Sequence, residues 1–414
     1  MKHVQAEIIS AGTELLLGFT VSSNSSFLSR ILAGLGLDVY KHVVVGDNTG
    51  RIAHAVRAAL RRAHVVVVTG GLGPTLDDVT VDGVAAGLKR TWRFDPFTWS
   101  KIERRFRARG IEIIPSMKRQ ARIIQGAEIL PNRVGSAPGQ LVRVQKHCVV
   151  LLPGVPSEAR AMMEDAAQRL KRLLRLPWVI ESRDFLVTGL SEPQVEARAE
   201  DLLTMGGAVT CGIYACPGSV TLRLTAKART RQAAVKLMAP FEKKIKSRLG
   251  SHLYSADGTP LEQVVGGLLA RKRLTLAVAE SCTGGLVSSR LTDTPGSSRY
   301  LRSSIVAYDN REKIRLLKVP KRLLVRHGAV SADVVKAMAK SARKSAGTDL
   351  GLAVTGIAGP TGGSKAKPVG LVYIALDHKN RALCERYHFS GERKDIRDKG
   401  VQAALNLVRR ALLE

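Results

Sequence analysis

The segment of the chain with the most candidate chemistry is Ala-Glu-Ser-Cys-Thr-Gly-Gly at 279–285. It falls between a predicted strand and a predicted helix, where backbone N–H groups and a helix N-terminus can face an anion. Ser281, Thr283 and Gly284 are therefore candidate binding residues for a phosphate or an oxyanion. Cys282 is a candidate nucleophile, but no histidine in this segment or in the neighbouring candidate loops can act as its base.

A serine and a lysine form a second candidate group. Pro-Gly-Ser-Ser at 295–298 is followed by Tyr-Asp-Asn-Arg-Glu-Lys at 308–313. Serine becomes a nucleophile when a base removes its proton, and a lysine whose ammonium is buried can be that base. Ser298, Lys313 and Tyr308 thus fit the pattern of a Ser–Lys hydrolase. On spacing alone, a helix-capping role for Ser298 is the better-supported alternative.

Two further segments add binding groups. Val-Thr-Gly-Ile-Ala-Gly-Pro at 354–360 leaves a predicted buried strand, and its glycines allow a ligand close to the backbone. Thr355 and Gly356 are the candidates there. Arg393 opens the last predicted helix, where its guanidinium can bind a phosphate with two hydrogen bonds. Together the segments supply a nucleophile, an amine, hydroxyl groups and an arginine. These groups suit hydrolysis of an amide on a phosphorylated substrate, without a metal or cofactor.

The elements that position these residues belong to an α/β protein. The N-terminal part alternates short apolar strands with amphipathic helices, which predicts an α/β sandwich around a mostly parallel sheet. The strand at 65–69 begins with four valines and should be central, covered by helices on both faces. Ligands of such sheets bind beyond the carboxyl ends of the strands. The loops at 11–14, 46–48 and 70–78 are therefore candidate ligand loops.

Two more regions follow. Residues 178–254 predict a small α+β unit, interpreted as a spacer or dimerisation domain, with substrate binding as the alternative. A turn-rich linker precedes a third, α/β domain. Its predicted elements are strands at 274–279, 350–354 and 370–376 and helices at 261–271 and 394–413. The predicted domains are 1–174, 178–254 and 260–414, an organisation that 414 residues can support with separate cores.

The charge of the chain is strongly positive. Lys and Arg number 65 against 35 Asp and Glu, for a formal net charge of +30. Such an excess is typical of nucleic-acid binding. The charge is spread along the chain, however, and aromatic residues make up only 4%, which leaves little surface for base stacking. We interpret the surplus as a basic surface that favours anionic metabolites and binds nucleic acid nonspecifically.

The sequence also predicts a cytoplasmic protein without a membrane partner. No apolar run approaches the roughly 20 residues of a membrane-spanning helix. Glu7 stands where a signal peptide would be apolar. The five cysteines are an odd number over a long chain, so we expect reduced thiols. Cys211 and Cys216 lack a second pair of zinc ligands, which argues against a zinc site.

Taken together, these motifs resemble the CinA (competence/damage-inducible) family in its long form, over nearly the whole chain. The N-terminal motifs are Gly-Thr-Glu-Leu-Leu-Leu-Gly at 12–18, Val-Gly-Asp-Asn at 45–48, Thr-Gly-Gly-Leu-Gly-Pro-Thr-Leu-Asp-Asp at 69–78 and Leu-Pro-Gly-Val-Pro-Ser-Glu at 152–158. The C-terminal motifs are those described above, with His-Gly-Ala-Val-Ser at 327–331 and Lys-Pro-Val-Gly at 367–370.

For the C-terminal domain the resemblance implies a nicotinamide mononucleotide amidohydrolase. This enzyme converts nicotinamide mononucleotide and water to nicotinic acid mononucleotide and ammonia, for salvage into NAD. Carried onto this chain, the resemblance implies Ser298 as nucleophile, Lys313 as general base and Tyr308 as its partner. It thereby favours the nucleophile over the helix cap. Further residues that would line the nucleotide and oxyanion sites are Ser281, Thr355 and Arg393.

The N-terminal domain is similar to the molybdopterin-binding fold, and long-form relatives are associated with a metal-dependent ADP-ribose pyrophosphatase activity. Glu14, Asp47, Asp77 and Asp78 would supply the oxygen ligands that Mg²⁺ or a similar divalent ion prefers. Two alternatives stay open. The acidic residues can be helix caps, and the domain can bind molybdopterin or a nucleotide without catalysis.

A competing hypothesis treats the whole chain as a nucleic-acid- or protein-binding module of competence or DNA damage, with no deamidation. In either case we expect a homodimer through the middle region. The chain also departs from the usual family pattern. The departures are Thr361 for Asp, Lys365 and Ala366 for acidic residues, Arg302 and Ser303 for small residues, and Ser-Ser-Asn at 22–24 for Asn-Thr-Asn. Those near the C-terminal loops remove negative or add positive charge.

Overall fold

A computed structural model of the chain describes residues 4–174, 178–378 and 381–414. The chain divides into two compact units, Met1–Glu181 with Lys227–Lys236, and Ser182–Ala226 with Leu237–Glu414. The mixed α/β fold class is confirmed. The predicted boundary between the first two domains, at 175–177, lies outside the described residues. None of the helices in the described ranges is long and apolar enough to cross a membrane.

The N-terminal region alternates strands and helices as predicted. Its strands are β1 (Gln5–Ala11), β2 (Asp38–Val45), β3 (Val65–Thr69), β4 (Trp92–Phe94), β5 (Arg122–Ile124), β6 (Ala127–Leu130), β7 (Gly139–Val144) and β8 (His147–Leu152). Its helices are α1 (Thr13–Leu16), α2 (Ser23–Gly34), α3 (Thr49–Leu60), α4 (Thr80–Gly87), α5 (Pro96–Ala108) and α6 (Pro156–Leu174). A 3₁₀ turn spans Pro115–Ala121.

The large N-terminal sheet has the order β2-β1-β3-β8-β7-β6. Strands β2, β1, β3 and β8 run parallel to one another. Strand β7 is antiparallel to both of its neighbours, β8 and β6. The prediction that β3 is central is confirmed, because it pairs with β1 and β8 and all five residues are buried. Helices α2 and α6 pack on one face and α3 and α4 on the other. The loops after the four parallel strands therefore meet at one edge.

The middle region is the small α+β unit that the sequence predicts. Its strands are β9 (Val179–Thr188), β10 (Val209–Cys216), β11 (Ser219–Ala228) and β12 (Leu253–Ser255), and its helices are α7 (Glu192–Leu203) and α8 (Arg231–Leu249). The sheet order is β10-β11-β9-β12. In β11 buried and half-buried side chains alternate, the pattern of a strand with one face on a core.

The C-terminal region forms a second α/β layer structure. Its strands are β13 (Leu276–Glu280), β14 (Leu301–Val306), β15 (Leu350–Gly356), β16 (Leu371–His378) and β17 (Arg381–His388). Its helices are α9 (Leu261–Lys272), α10 (Leu286–Thr292), α11 (Asn310–Arg315), α12 (Lys321–His327), α13 (Ala332–Ala346) and α14 (Arg393–Leu413). Short 3₁₀ turns span Gly250–His252 and Ser297–Arg299.

The sheet order of this region, β14-β13-β15-β16-β17, positions the candidate site. Strands β14, β13 and β15 are parallel, and β16 and β17 are antiparallel to their neighbours. Helices α9, α10 and α14 cover one face, and α12 and α13 cover the other. The carboxyl ends of three strands and the segment that leads into α14 thus lie along one edge of the sheet.

Candidate active site

The centre of the C-terminal site is a buried lysine. Lys313, on α11, has an exposed fraction of 1%. Its Nζ donates to Ser281 Oγ at 3.0 Å and to the carbonyl oxygens of Ala307 and Tyr308 at 2.9 Å each. Three acceptors therefore match the three N–H bonds of an ammonium, and the serine hydroxyl is the only one of the three that can also give up a proton.

Burial changes the acid–base behaviour of this lysine. It lowers the pKa of the Lys313 ammonium, because the charged form loses its hydration, while the nearby Asp309 carboxylate acts in the opposite direction. The net lowering favours the neutral amine. A neutral amine keeps two N–H bonds, enough for the two carbonyl oxygens, and its lone pair then faces the Ser281 hydroxyl. The arrangement is that of a base beside a nucleophile.

The turn that carries Ser281 follows β13 directly. The Ser281 N–H donates to Val354 O at 3.0 Å, which ties the turn to β15, and Gly284 N–H donates to Ser281 O at 3.1 Å. Gly284 and Gly285 have φ of 59° and 94°, the left-handed region that glycine adopts without strain. The two glycines therefore close the turn tightly enough to leave the serine against Lys313.

A buried carboxylate holds the start of α10, and the sequence did not predict it. Glu280, at the end of β13, is fully buried. Its carboxylate accepts the N–H groups of Gly285, Val287 and Ser288 at 3.0 to 3.1 Å. These are N–H groups that a helix start leaves without partners. The available signal was a lone acidic residue at the end of an otherwise apolar strand.

Cys282 does not have the properties of a nucleophile. It is 6% exposed, and burial raises the pKa of its thiol to about 12. The thiolate is the reactive form of cysteine, and it is scarce near neutral pH under these conditions. The geometry around Cys282 therefore agrees with the sequence, which offers no base for it.

Tyr308 and Arg393 meet at the same edge of the sheet. Arg393 Nη2 donates to Tyr308 Oη at 2.8 Å, and its Nη1 donates to Gly359 O at 2.7 Å. The tyrosine is exposed. Arg393 thus connects the loop after β14 with the loop after β15 and places a cation between them.

Thr355 and Gly356 form the end of β15. The Thr355 hydroxyl is buried and donates to Ala329 O at 3.0 Å, so it holds the segment before α13. A Cβ on Gly356 would come within 2.7 Å of Leu371 O. This close approach explains why a glycine stands at that position.

Arg397, which contacts Thr283, adds a second cation to this edge of the sheet. Thr283 is fully buried, and its hydroxyl oxygen has no hydrogen-bond partner in the part of the chain that the structure describes. Arg397 Nη2 donates to Thr283 O at 2.8 Å. Arg397 lies one helical turn after Arg393, and that spacing was the signal in the sequence, since residues four apart share a helix face.

The structure does not bring the predicted nucleophile Ser298 to Lys313. Ser298 is exposed in the turn before β14, whose N-cap is Gly296, so it is not the capping residue either. Strands β13 and β14 start side by side, with Leu276 opposite Leu301. Ser298 precedes these starts, whereas Ser281 and Lys313 follow the strand ends. At 3.3 Å per residue, the strands separate the two positions by about 15 Å.

The four predicted metal ligands of the N-terminal domain line one cleft. Glu14, Asp47, Asp77 and Asp78 surround a space of about 250 Å³ at the edge where β1, β2 and β3 end. The clustering follows from the parallel sheet, because each residue follows the carboxyl end of one of its strands.

These carboxylates are not arranged as a ready metal centre. Asp47 Oδ2 accepts hydrogen bonds from the Thr13 N–H at 2.8 Å and from the Thr13 hydroxyl at 2.9 Å. Asp78 Oδ2 accepts the Thr75 N–H at 2.8 Å. Within the described ranges, no three carboxylate, imidazole or thiolate groups are placed to hold one ion together. Carboxylate oxygens suit a divalent cation, but these four carboxylates are not placed to hold one ion together. The metal stays a prediction.

Three family descriptions match consecutive parts of the chain. "Probable molybdopterin binding domain" matches residues 7–172, "Damage-inducible protein CinA KH domain" matches 182–255 and "CinA C-terminal domain" matches 258–412. The expected molybdopterin-binding-like and CinA C-terminal domains are thereby confirmed. The KH description of the middle region is new relative to the sequence expectation of a spacer.

Relatives match over the full length. The chain is 42% identical over 410 residues to a "Putative competence-damage inducible protein" of Moorella thermoacetica, with 99% of both chains covered. It is 41% identical over 411 residues to a "CinA-like protein" of Dictyoglomus thermophilum, covering 99% of this chain and 100% of the relative. A solved competence/damage inducible protein of Agrobacterium tumefaciens is 36% identical, with 37% of this chain and 94% of that chain covered and a TM-score of 0.36.

Proposed function

The chain belongs to the CinA family of competence-damage inducible proteins, and we propose that its C-terminal domain is an amidohydrolase acting on the carboxamide of nicotinamide mononucleotide. The observation that carries the proposal is the 3.0 Å contact between Lys313 Nζ and Ser281 Oγ, with the lysine buried. A base of lowered pKa within hydrogen-bond reach of a hydroxyl is the requirement for serine attack at neutral pH.

In the first half of the reaction, Ser281 Oγ forms a bond to the carboxamide carbon while neutral Lys313 takes the hydroxyl proton. The carbonyl electron pair moves onto oxygen. When the tetrahedral intermediate collapses, the C–N bond breaks and the Lys313 ammonium gives its proton to the departing nitrogen. Ammonia leaves, and the nicotinoyl group stays on Ser281 as an ester.

The second half regenerates the serine. Water attacks the ester carbon while Lys313 accepts one of its protons, and the C–O bond to Ser281 breaks as Lys313 returns that proton to Oγ. The product is nicotinic acid mononucleotide. Lys313 acts as base and then as acid in each half, which is the reason for a pKa below that of an exposed lysine.

Arg393 and Arg397 support a phosphorylated substrate. They stand one turn apart at the start of α14, beside the glycine-rich turn that carries Ser281. Arg393 is held in place by Tyr308 and by the backbone after β15, so little side-chain freedom is lost when it binds a phosphate. We therefore assign these two arginines to the phosphate of the substrate.

An ammonia assay tests the proposal. The full chain, in a buffer with a metal chelator, should release ammonia from nicotinamide mononucleotide. Lys313→Met should lower the rate by about 10³-fold or more, since it removes the amine that is hydrogen-bonded to Ser281. Lys318→Met is the matched control, because Lys318 is an exposed lysine five residues away. A Lys313→Met protein with the activity of the control would refute the assignment.

A second candidate function is hydrolysis of ADP-ribose in the N-terminal cleft. It is favoured by the four acidic residues that line one space at the ends of the parallel strands. Release of AMP and ribose 5-phosphate from ADP-ribose with added Mg²⁺, lost in Asp78→Ala, would support it. Binding of ADP-ribose without product would instead support a binding domain that lacks catalysis.

A further inference from the structure

A cavity lies within the second compact unit, between the middle region and the C-terminal region. Its volume is about 460 Å³, which is in the size range of small-molecule sites. One wall is formed by the β10–β11 hairpin and the start of α7, and the other by the end of β17 and one face of α14. We call it the α14 cavity. Ser281 and Lys313 do not line it.

A glycine brings the two walls of the α14 cavity together. Gly218, in the hairpin, has φ of 79°, and its carbonyl oxygen accepts the Thr188 hydroxyl at 3.1 Å. A Cβ on Gly218 would lie 2.9 Å from the Gln402 Cβ and 3.3 Å from the Lys399 Cα. The hairpin therefore lies directly against α14, and the cavity beside this contact has walls from both regions.

An asparagine on α14 points a hydrogen-bond donor into the cavity. Asn406 lines the cavity and is 9% exposed. Its Oδ1 accepts the Arg409 Nε–H at 3.0 Å, and because a guanidinium can only donate, the amide cannot be turned over. Its Nδ2 lies 4.0 Å from the position of a Cβ on Gly189, which lines the cavity, whereas Arg409 does not. Nδ2 has no hydrogen-bond partner among the described residues.

The groups around Asn406 are also mainly donors, and a buried donor without an acceptor is unfavourable. Lys399, on the same face of α14, donates one N–H of its ammonium to Ser390 O at 2.6 Å and keeps two. The start of α7, at Ser191 and Glu192, adds the positive end of a 12-residue helix. Glu192 is the one carboxylate among the lining residues, and it is exposed. These groups suit an anionic acceptor, a phosphate or a carboxylate.

The remaining lining residues are largely apolar or aromatic. Tyr387 and Phe389 line the cavity, and their rings stack with centroids 5.1 Å apart. Leu190 and Val220 lie on the opposite wall. Aromatic side chains pack favourably against a planar ring. The complementary ligand therefore combines a planar ring with an anionic group.

We propose that the α14 cavity binds an anionic aromatic metabolite of the size of a mononucleotide, whose phosphate or carboxylate accepts hydrogen bonds from Asn406 Nδ2 and Lys399 Nζ. The inference does not rest on the amidohydrolase or on the N-terminal cleft. It adds a binding site to the helix whose first two turns carry Arg393 and Arg397.

Cys216 allows a local test, because it lines the same cavity and is exposed. The rate of its alkylation by iodoacetamide in the full chain is followed by mass spectrometry of the peptide that contains it. Millimolar AMP or adenosine 5′-carboxylate, or both, should slow this reaction by about 5-fold or more, since a bound ligand protects in proportion to its concentration over Kd. The two anions distinguish phosphate from carboxylate. Adenosine, which has neither group, should not protect.

Two variants locate the anion. Asn406→Asp keeps an oxygen for Arg409 but replaces the donor by an anionic oxygen, and Lys399→Met removes the ammonium. Each should reduce the protection to less than about 2-fold, because a charge-assisted hydrogen bond to the ligand is lost. Lys394→Met is the matched control, since Lys394 is exposed on the same helix and does not line the cavity. It should keep the wild-type protection.

Three results would overturn the proposal. The first is a wild-type protein in which neither anion protects Cys216. The second is equal protection by adenosine, which would show binding of the ring without an anion site. The third is unchanged protection in folded Asn406→Asp or Lys399→Met, which would show that the anion acts from elsewhere in the molecule.

Discussion

The two candidate sites of this molecule use charged side chains in opposite ways. The C-terminal site has one ammonium, Lys313, buried and hydrogen-bonded on all sides. The N-terminal cleft has four carboxylates around an open space, and two of them accept hydrogen bonds from neighbouring threonines, Thr13 and Thr75. Burial changes the pKa of the lysine before any ligand arrives. The fold alone therefore prepares the first site, whereas a ligand must complete the second.

The largest effect on ammonia release is expected when the two candidate serines, Ser281 and Ser298, are replaced in turn. Ser281→Ala should lower ammonia release from nicotinamide mononucleotide by about 10³-fold or more, because no other hydroxyl accepts a hydrogen bond from Lys313 in the described chain. Ser298→Ala should stay within about 2-fold of the wild-type rate, since Ser298 is exposed at the other end of the strands. The reverse ranking of the two variants would restore Ser298 as the nucleophile.

A smaller effect is expected at Arg393, the proposed phosphate-binding residue. Arg393→Lys keeps a positive charge but loses the two-pronged contact with Tyr308 and Gly359. We expect kcat/KM for nicotinamide mononucleotide to fall by about 10- to 100-fold, mainly through KM, since about 1.4 kcal/mol corresponds to each factor of ten. The same variant assayed on nicotinamide riboside, which lacks the phosphate, should change far less. Equal losses on both substrates would exclude a phosphate role.

The pH dependence of the reaction reports the lowered pKa of Lys313. The neutral amine is the base, so kcat/KM should rise with pH and level off at a pH below the usual lysine range. Folding stability should move in the same direction. The unfolded chain keeps the lysine proton to a higher pH than the folded chain, so the free energy of unfolding rises with pH through the window between the two pKa values.

The Lys313→Met variant lacks this titrating group, so its stability is the reference for that of the wild-type protein. Urea unfolding across this window should give the wild-type protein a rise of about 1.4 kcal/mol for each unit by which the pKa is lowered, relative to the variant. Parallel stability curves for the two proteins would show that the folded and unfolded pKa values coincide.

Glu280 allows a test of the stability of the domain, because it holds the start of α10 and has no role in the proposed reaction. Glu280→Gln replaces one acceptor oxygen by an NH₂ group that faces backbone N–H groups. The free energy of unfolding of the domain should fall by about 1 to 3 kcal/mol, measured with urea. Glu312→Gln, at a half-buried glutamate whose partner Arg315 is on the surface, is the control and should change it by less than about 1 kcal/mol. A harmless Glu280→Gln would mean that α10 does not depend on this cap.

The smallest effect tests whether the two sites work separately. Asp47→Asn keeps an oxygen for the Thr13 N–H but removes a negative charge from the N-terminal cleft. Ammonia release should stay within about 2-fold of wild type, because the charge lies outside the C-terminal domain. A large loss would show that the cleft and the amidohydrolase site are coupled.

Local patterns were enough to predict much of the fold. The four valines of β3 fixed its central position, and amphipathic spacing located α9 and α14. Strand β14 was not predicted, because its side chains alternate between half-buried and exposed and include an arginine and two serines. Only the tertiary packing shows that such a segment pairs with β13.

The missing strand also explains the error in the site. Once β14 is placed, the parallel arrangement puts Ser298 before the sheet and Tyr308 and Lys313 after it, next to Ser281. The sequence analysis named all four as candidate site residues, but it paired the lysine with Ser298 and not with Ser281.

The burial of Cys282 has a practical consequence for chemical labelling. Its thiol lies next to the candidate nucleophile, yet a pKa of about 12 and 6% exposure protect it from alkylating reagents. Cys216 is exposed, on the hairpin between β10 and β11. Maleimide or iodoacetamide reagents should therefore attach first to Cys216. A fluorophore could be placed on the middle region of the natural protein while the serine and lysine remain unmodified.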